Sequence, residues 1–222
     1  MIAHTLIAYA FVLLMLLVAL AAASLICRVG KTDGQATKSS GEWARKLVHM
    51  SMGLVCMSFP WLFRDNISVV ILAALALISL VLVRFTPLAG ALFSVGRKST
   101  GDLLFPVAVA MTFALSQNAM QYFLALSLLT FADSTAAVIG KKYGQHFFAQ
   151  GRKSLEGSLA FLACAIVVTL SINLGTGNTV ASSLANTLAL ALASTLAEAL
   201  SNNGFDNLSI PMCALMVMKC CA

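Results

Sequence analysis

The chain has 222 residues, of which 60% are hydrophobic and 10% charged, with a mean hydropathy of +0.93. A soluble domain carries roughly 25% charged residues, so these figures exclude a disordered chain, a nucleic-acid-binding domain and an ordinary soluble enzyme, and they imply an all-α, polytopic membrane protein. Fourteen basic against eight acidic residues give a net charge of +6, which in such a protein reports topology and anionic partners.

Apolar runs predict helices over about 5–27, 47–63, 66–84, 102–117, 119–139, 155–174 and 180–200, with a shorter last run at 208–222. A span needs roughly 20 residues, so seven or eight transmembrane segments are expected in one membrane domain over 1–222. The first run lacks a basic flank before it and is too long for a signal peptide, so it reads as a retained helix. The six cysteines contain no Cys-x-x-Cys pair and read as buried hydrophobes.

Charge separates the connections. The segments 28–46, 84–101 and 140–154 hold twelve of the 14 basic residues, and only Arg64 and Lys219 fall on the other side. The positive-inside rule then sets the N-terminus outside and the basic loops in the cytoplasm. Asp102, Asp133, Glu156, Glu198 and Asp206 fall at that same boundary, while Asp65 does not. Clustered polar chemistry points to a site open to the cytoplasm of an inner or cytoplasmic membrane.

Taken in chain order, Arg45, Lys46 and His49 share a helical face; they read as a topological flank or as a phosphate clamp with a titratable group. Asp133 lies late in an apolar helix, where an acid costs about 2.5–3.5 kcal/mol; it reads as a hydrogen-bonded structural acid, a metal ligand or a base. The segments Gly140-Lys141-Lys142-Tyr143-Gly144 and Gly151-Arg152-Lys153-Ser154-Leu155-Glu156-Gly157 combine glycines and cations. Ser154 suits an N-cap, and the helix start behind it would stabilise phosphates; the alternative is a basic loop that only fixes topology, with Glu156 offsetting the helix dipole. Glu198 follows a run of small residues that suits helix packing. Asp206 and Asn207 open the last segment, Asp206 as a cap or a ligand.

These pieces resemble a known family: the CTP-dependent membrane kinases of lipid alcohols, which include phytol kinase, dolichol kinase and yeast-type diacylglycerol kinase. The matching residues are Arg45-Lys46-Leu47-Val48-His49, Asp133-x-x-Ala136 with Gly140 and Gly144, Lys153-Ser154-Leu155-Glu156-Gly157-Ser158, and Glu198 followed by Asp206-Asn207-Leu208-x-Ile210-Pro211. The resemblance implies CTP as phosphoryl donor, a divalent cation such as Mg²⁺ and a lipid hydroxyl as acceptor. Asp133, Gly140, Gly144, Lys153 and Glu156 match the segment linked to CTP. The phosphatidate cytidylyltransferases are similar over Asp133 to Gly157, but their C-terminal His-Gly-Gly…Asp-Arg signature is missing here, and a full dolichol kinase has many more spans.

On this reading Lys153, with Lys141 or Arg152, holds the CTP phosphates, and Asp133 with Glu198 or Asp206 holds the metal. Asp133 or His49 accepts the acceptor's proton. The rival class is a small proton- or cation-coupled transporter that uses Asp133 and Glu198 as its relay.

Overall fold

A computed structural model of the chain describes residues 5–15, 17–18, 21, 38–85, 100–148, 153–177 and 179–220. The chain divides into two units, Met1–Lys98 and Ser99–Ala222. Among the described residues its regular structure is helical, apart from one short two-stranded ribbon in the second unit.

The first unit holds α1 (Thr5–Met15), α2 (Lys38–Met57), α3 (Phe59–Leu62) and α4 (Asn66–Arg84). The run expected over 47–63 starts earlier, at Lys38, and breaks at Ser58, whose hydroxyl donates to the Val55 carbonyl at 2.6 Å. Pro60 sits in the first turn of α3, where its missing N–H costs nothing. Asp65 caps α4: the Ser68 N–H donates to Oδ1 at 2.7 Å and the Ser68 hydroxyl to Oδ2 at 3.0 Å. Phe63 packs edge-on against Phe59, with ring centres 5.3 Å apart, and tilted against Tyr9 at 5.5 Å.

The second unit begins with α5 (Gly101–Leu115). Asn118 caps α6 (Ala119–Tyr143) by accepting the Gln121 N–H at 2.9 Å. Within α6 one turn, Leu128–Ala132, is π-helical, and the Asp133 N–H donates to the Leu128 carbonyl five residues back. A ribbon follows, β1 (Phe147–Phe148) antiparallel to β2 (Lys153–Ser154). Then come α7 (Leu155–Gly175), α8 (Val180–Leu200) and α9 (Asp206–Cys220). Helix α7 packs between α6 and α8, and α9 packs on α8, α5 and α6. Asn203 and Gly204 take left-handed backbone angles, φ 56° and 92°, and turn the chain from α8 into α9.

The expected helix over 119–139 in fact runs on to Tyr143. Gly140, Lys141 and Lys142 therefore lie in helix rather than in a loop. Two physical reasons favour this extension. The lysines suit the negative end of the helix, and Gly140 lets α7 approach closely (below). A two-residue ribbon likewise replaces part of the loop expected over 140–154.

The distribution of side chains is that of a protein in lipid. Thr112, Ser127, Thr130, Asp133, Ser134, Thr187, Ser194 and Glu198 are buried. The outside is apolar: on α8, Leu184, Leu188, Leu192, Leu196 and Leu200 recur every fourth residue and are all exposed. A water-soluble helix puts its leucines on the inward face; here that face holds Thr187, Ala191, Ser194 and Glu198. Two of the described helices, Ala119–Tyr143 and Leu155–Gly175, are long and apolar enough to cross a bilayer, and shorter apolar stretches occur at Thr5–Met15, Asn66–Leu82, Gly101–Leu115 and Leu184–Leu200.

Candidate functional site

Lys153 stands at the centre of the second unit's polar end. It occupies β2, immediately before α7. Successive residues of a strand point to opposite faces, so Ser154 and Lys153 diverge. The Ser154 side chain turns into α7, where it accepts the Gly157 N–H at 3.1 Å as the expected N-cap. The Lys153 ammonium reaches the ends of two other helices: it donates to Glu198 Oε1, near the end of α8, and to Asp206 Oδ2 at 3.3 Å, at the start of α9.

Each acid has a second partner. Ser158 Oγ donates to Glu198 Oε2 at 3.2 Å, and the Asn207 N–H donates to Asp206 Oδ1 at 3.1 Å. The Lys153, Glu198 and Asp206 side chains are 16%, 4% and 21% exposed, so the ion pairs are largely withdrawn from water. Burial by itself would lower the Lys153 pKa. The charges of Asp206, Glu198 and Asp133 outweigh burial and hold it above the ordinary lysine value. Asp133 is buried at the end of the π-turn and acts on the same ammonium. Such π-turns often accompany functional positions.

The glycines read from the sequence as an anion cradle serve here in close packing. A Cβ on Gly157 would lie 3.0 Å from the Ala136 carbonyl oxygen and 3.2 Å from Gly140 Cα. One on Gly140 would lie 2.9 Å from Ser154 Oγ and 3.3 Å from Gly157 Cα, and one on Gly144 would lie 2.2 Å from the Gly140 carbonyl oxygen. The backbones of α6 and α7 thus meet through glycine, as small-residue helix pairs in membranes do. The contact fixes where β2, and with it Lys153, leaves the helix.

The ribbon is also tied at its base. The Leu155 N–H donates to the His146 carbonyl at 2.9 Å, and His146 Nδ1 lies 2.7 Å from Glu156 Oε1. Glu156 therefore secures the ribbon. The pairing Phe148↔Lys153 sets the half-exposed Phe148 ring on the face of the lysine. At the start of α9, Asn207 Nδ2 donates to the Gly101 carbonyl at 2.7 Å, and the Thr100 hydroxyl donates to the Asn203 carbonyl at 2.8 Å. These bonds fasten the α9 start, and so Asp206, to the start of α5.

Of the residues expected at the site, the structure joins Lys153, Glu198 and Asp206 directly, with Asp133 acting on Lys153 through charge. Gly140, Gly144, Ser154, Glu156, Gly157 and Asn207 support them. Lys141 is exposed at the end of α6, and its neighbour Lys142 lies over the Tyr143 ring at 5.1 Å from its centre. Lys46 and His49 belong to α2 in the other unit. The Arg45 side chain, Gly151 and Arg152 lie outside the described residues. Among the described residues no three His, Cys, Asp or Glu side chains gather as a metal-binding group. Two carboxylates, Glu198 and Asp206, do close on one cation, the Lys153 ammonium.

Sequence reasoning gave no role to Ser158 or to His146. Ser158 stands one turn after Ser154, inside the quoted motif, and that spacing was the available signal. His146 pairs with Glu156 across a ribbon whose register no residue pattern announced.

No protein family matches the chain by profile, and no solved structure matches it. A curated relative does: the phytol kinase of Synechocystis sp. is 29% identical over 191 residues, which cover 81% of this chain and 79% of that protein. This likeness along most of the chain supports its assignment to the lipid-alcohol kinase family that its motifs resemble.

Proposed function

We propose that this membrane protein transfers a phosphoryl group from CTP to the hydroxyl of a lipid alcohol, such as phytol, another prenol, a polyprenol or diacylglycerol, at the cytoplasmic face. The observation that carries the reading is the ion cluster Lys153–Glu198–Asp206, with Asp133 beside it, at one end of a bundle whose outer surface is apolar. The likeness to a phytol kinase supports a lipid-alcohol acceptor. The basic residues Lys141 and Lys142 at the same end support the cytoplasmic orientation with the N-terminus outside.

Phosphoryl transfer asks of a protein mainly charge neutralisation and in-line positioning. Two carboxylates that already hold a cation match the one or two protein ligands from which Mg²⁺ is usually bound when substrate phosphates complete its shell. The metal would neutralise charge on those phosphates. Glu198 and Asp206 would hold that metal, and the Lys153 ammonium would then be free to pair with a phosphate instead, a short movement for a flexible four-carbon side chain. The ribbon, held by Glu156 and by the glycine contact, keeps the lysine backbone in place while its head group moves. Asp133, a buried acid whose charge acts on the Lys153 ammonium, accepts the acceptor's proton.

The transporter reading explains buried acids but gives no function to the tied ribbon that delivers Lys153. A cytidylyltransferase would use the same CTP segment on a lipid phosphate. The test uses membranes carrying the wild type, Asp133→Asn or Lys153→Ala, supplied with labelled CTP and either phytol or diacylglycerol. Label in the lipid product from the wild type, and its loss in both variants, is the expected result. Turnover like the wild type in both variants would overturn the assignment.

A further inference from the structure

Hydroxyls in these helices mostly satisfy themselves. Thr112, Ser127, Thr135, Thr195 and Ser201 each donate to the carbonyl four residues back, at 2.6–2.8 Å. Thr130, Ser134 and Ser194 do not: their hydroxyl oxygens are buried and meet no hydrogen-bonding partner among the described residues. The residues are 0%, 3% and 0% exposed. An unsatisfied hydroxyl in an apolar interior costs free energy, so three of them within a turn of Asp133 or Glu198 call for an explanation.

Their positions supply it. Thr130 and Ser134 are four apart on α6 and flank Asp133, with Thr130 inside the π-turn, where the usual acceptor pattern is displaced. Ser194 lies one turn before Glu198 on the inward face of α8. Both acids act on the Lys153 ammonium. Helices α6 and α8 run the same way, because α7 lies antiparallel between them and starts beside the end of α6. Thr130 is therefore about 4.5 Å further into the membrane than Asp133, and Ser194 about 6 Å further than Glu198, at 1.5 Å per residue. Thr169, also buried and unpartnered, lies near the far end of α7 and is not part of this group.

We infer that Thr130, Ser134 and Ser194 form the hydroxyl-binding site for the acceptor. A molecule with a primary hydroxyl on an apolar tail that reaches the acid cluster from the hydrocarbon side passes Thr130 and Ser194 first and meets Ser134 at the level of Asp133. Its hydroxyl both donates and accepts, and so complements side chains that do the same. An all-apolar tail leaves the rest of its surface to the small-residue helices. The inference rests on the kinase reading and names the residues that position its acceptor.

The test uses the purified full chain and the conservative variants Thr130→Val, Ser134→Ala and Ser194→Ala, singly and together. Removing a buried hydroxyl that has no partner should leave the thermal stability of the ligand-free protein unchanged or slightly raised. The KM for the lipid alcohol should rise about 5- to 10-fold per lost hydrogen bond, with the KM for CTP unchanged, and Thr130→Ser should restore it. If the wild type phosphorylates no lipid alcohol, the kinase reading fails. If it does so and the triple variant keeps the wild-type acceptor KM, the hydroxyl site fails. A fall in stability with unchanged KM would also overturn it, because the hydroxyls would then serve the fold through bound water.

Discussion

Replacing Lys153 by methionine leaves Glu198, 4% exposed, and Asp206, 21% exposed, facing each other with no cation between them. Breaking a buried ion pair by removing one partner costs about 3–5 kcal/mol. Asp206 keeps some water, so the lower figure, about 3 kcal/mol, applies to Lys153→Met. Glu198→Gln should cost less, about 1 kcal/mol, since Lys153 retains Asp206 and the amide still accepts from Ser158 Oγ. In the double variant the uncompensated buried charge is gone, and the loss should be about 2 kcal/mol, which leaves a coupling of about 2 kcal/mol between the positions. For a chain of this size 3 kcal/mol corresponds to a fall in Tm of roughly 6–12 °C. Thermal unfolding of the four proteins in one detergent, followed by intrinsic fluorescence, gives the cycle. Effects that add within about 0.5 kcal/mol would mean that the pair does not organise this end of the bundle.

Other expectations follow from the same geometry. Gly157→Ala gains about 1 kcal/mol of helix propensity, yet its Cβ meets backbone atoms of α6 at 3.0 and 3.2 Å, which cannot swing aside; a net loss of about 1–2 kcal/mol and a larger KM for CTP are expected, and an unfolding midpoint above the wild type would contradict the close packing. Leu192→Lys, in the exposed leucine stripe, should cost about 2.5–3.5 kcal/mol of membrane insertion, whereas a neutral effect in an insertion assay would mean that this face does not meet lipid. Because the folded pKa of Lys153 is raised above 10.5, its contribution to stability is complete below that value and is lost as pH rises through the folded pKa. The stability difference between the wild type and Lys153→Met should therefore stay constant from pH 7 to about 10 and shrink above it; a difference that shrinks between pH 7 and 9 would contradict the ion pair.

The helices themselves were legible because apolar runs and bounding charges are local signals. The N-cap at Ser154 was legible for the same reason, since it lies within one turn of its partner. What the sequence did not convey was long-range. Glycines and lysines between two apolar runs resemble an anion loop, yet Gly140 lies in the last turns of a helix and Gly144 ends it, because the contacts that demand them come from Ser154 and Gly157 on other elements and, for Gly144, from the Gly140 carbonyl. Lys153 reads as a phosphate ligand, while its ammonium bonds Glu198, 45 residues away, and Asp206, 53 away. Asp133 and Glu198 were recognisable as costly intramembrane acids. Which cation offset them depended on a two-residue ribbon too short to leave a pattern.

The most direct test of the central claim is chemical. The purified protein is incubated with CTP or ATP and a panel of phytol, farnesol-like prenols, polyprenols and diacylglycerol, and the products are read by mass spectrometry. The expected product is a monophosphate on the hydroxyl of at least one lipid alcohol, formed with CTP and absent without nucleotide. A cytidylylated lipid, or no phosphorylated lipid with either nucleotide across the whole panel, would contradict it.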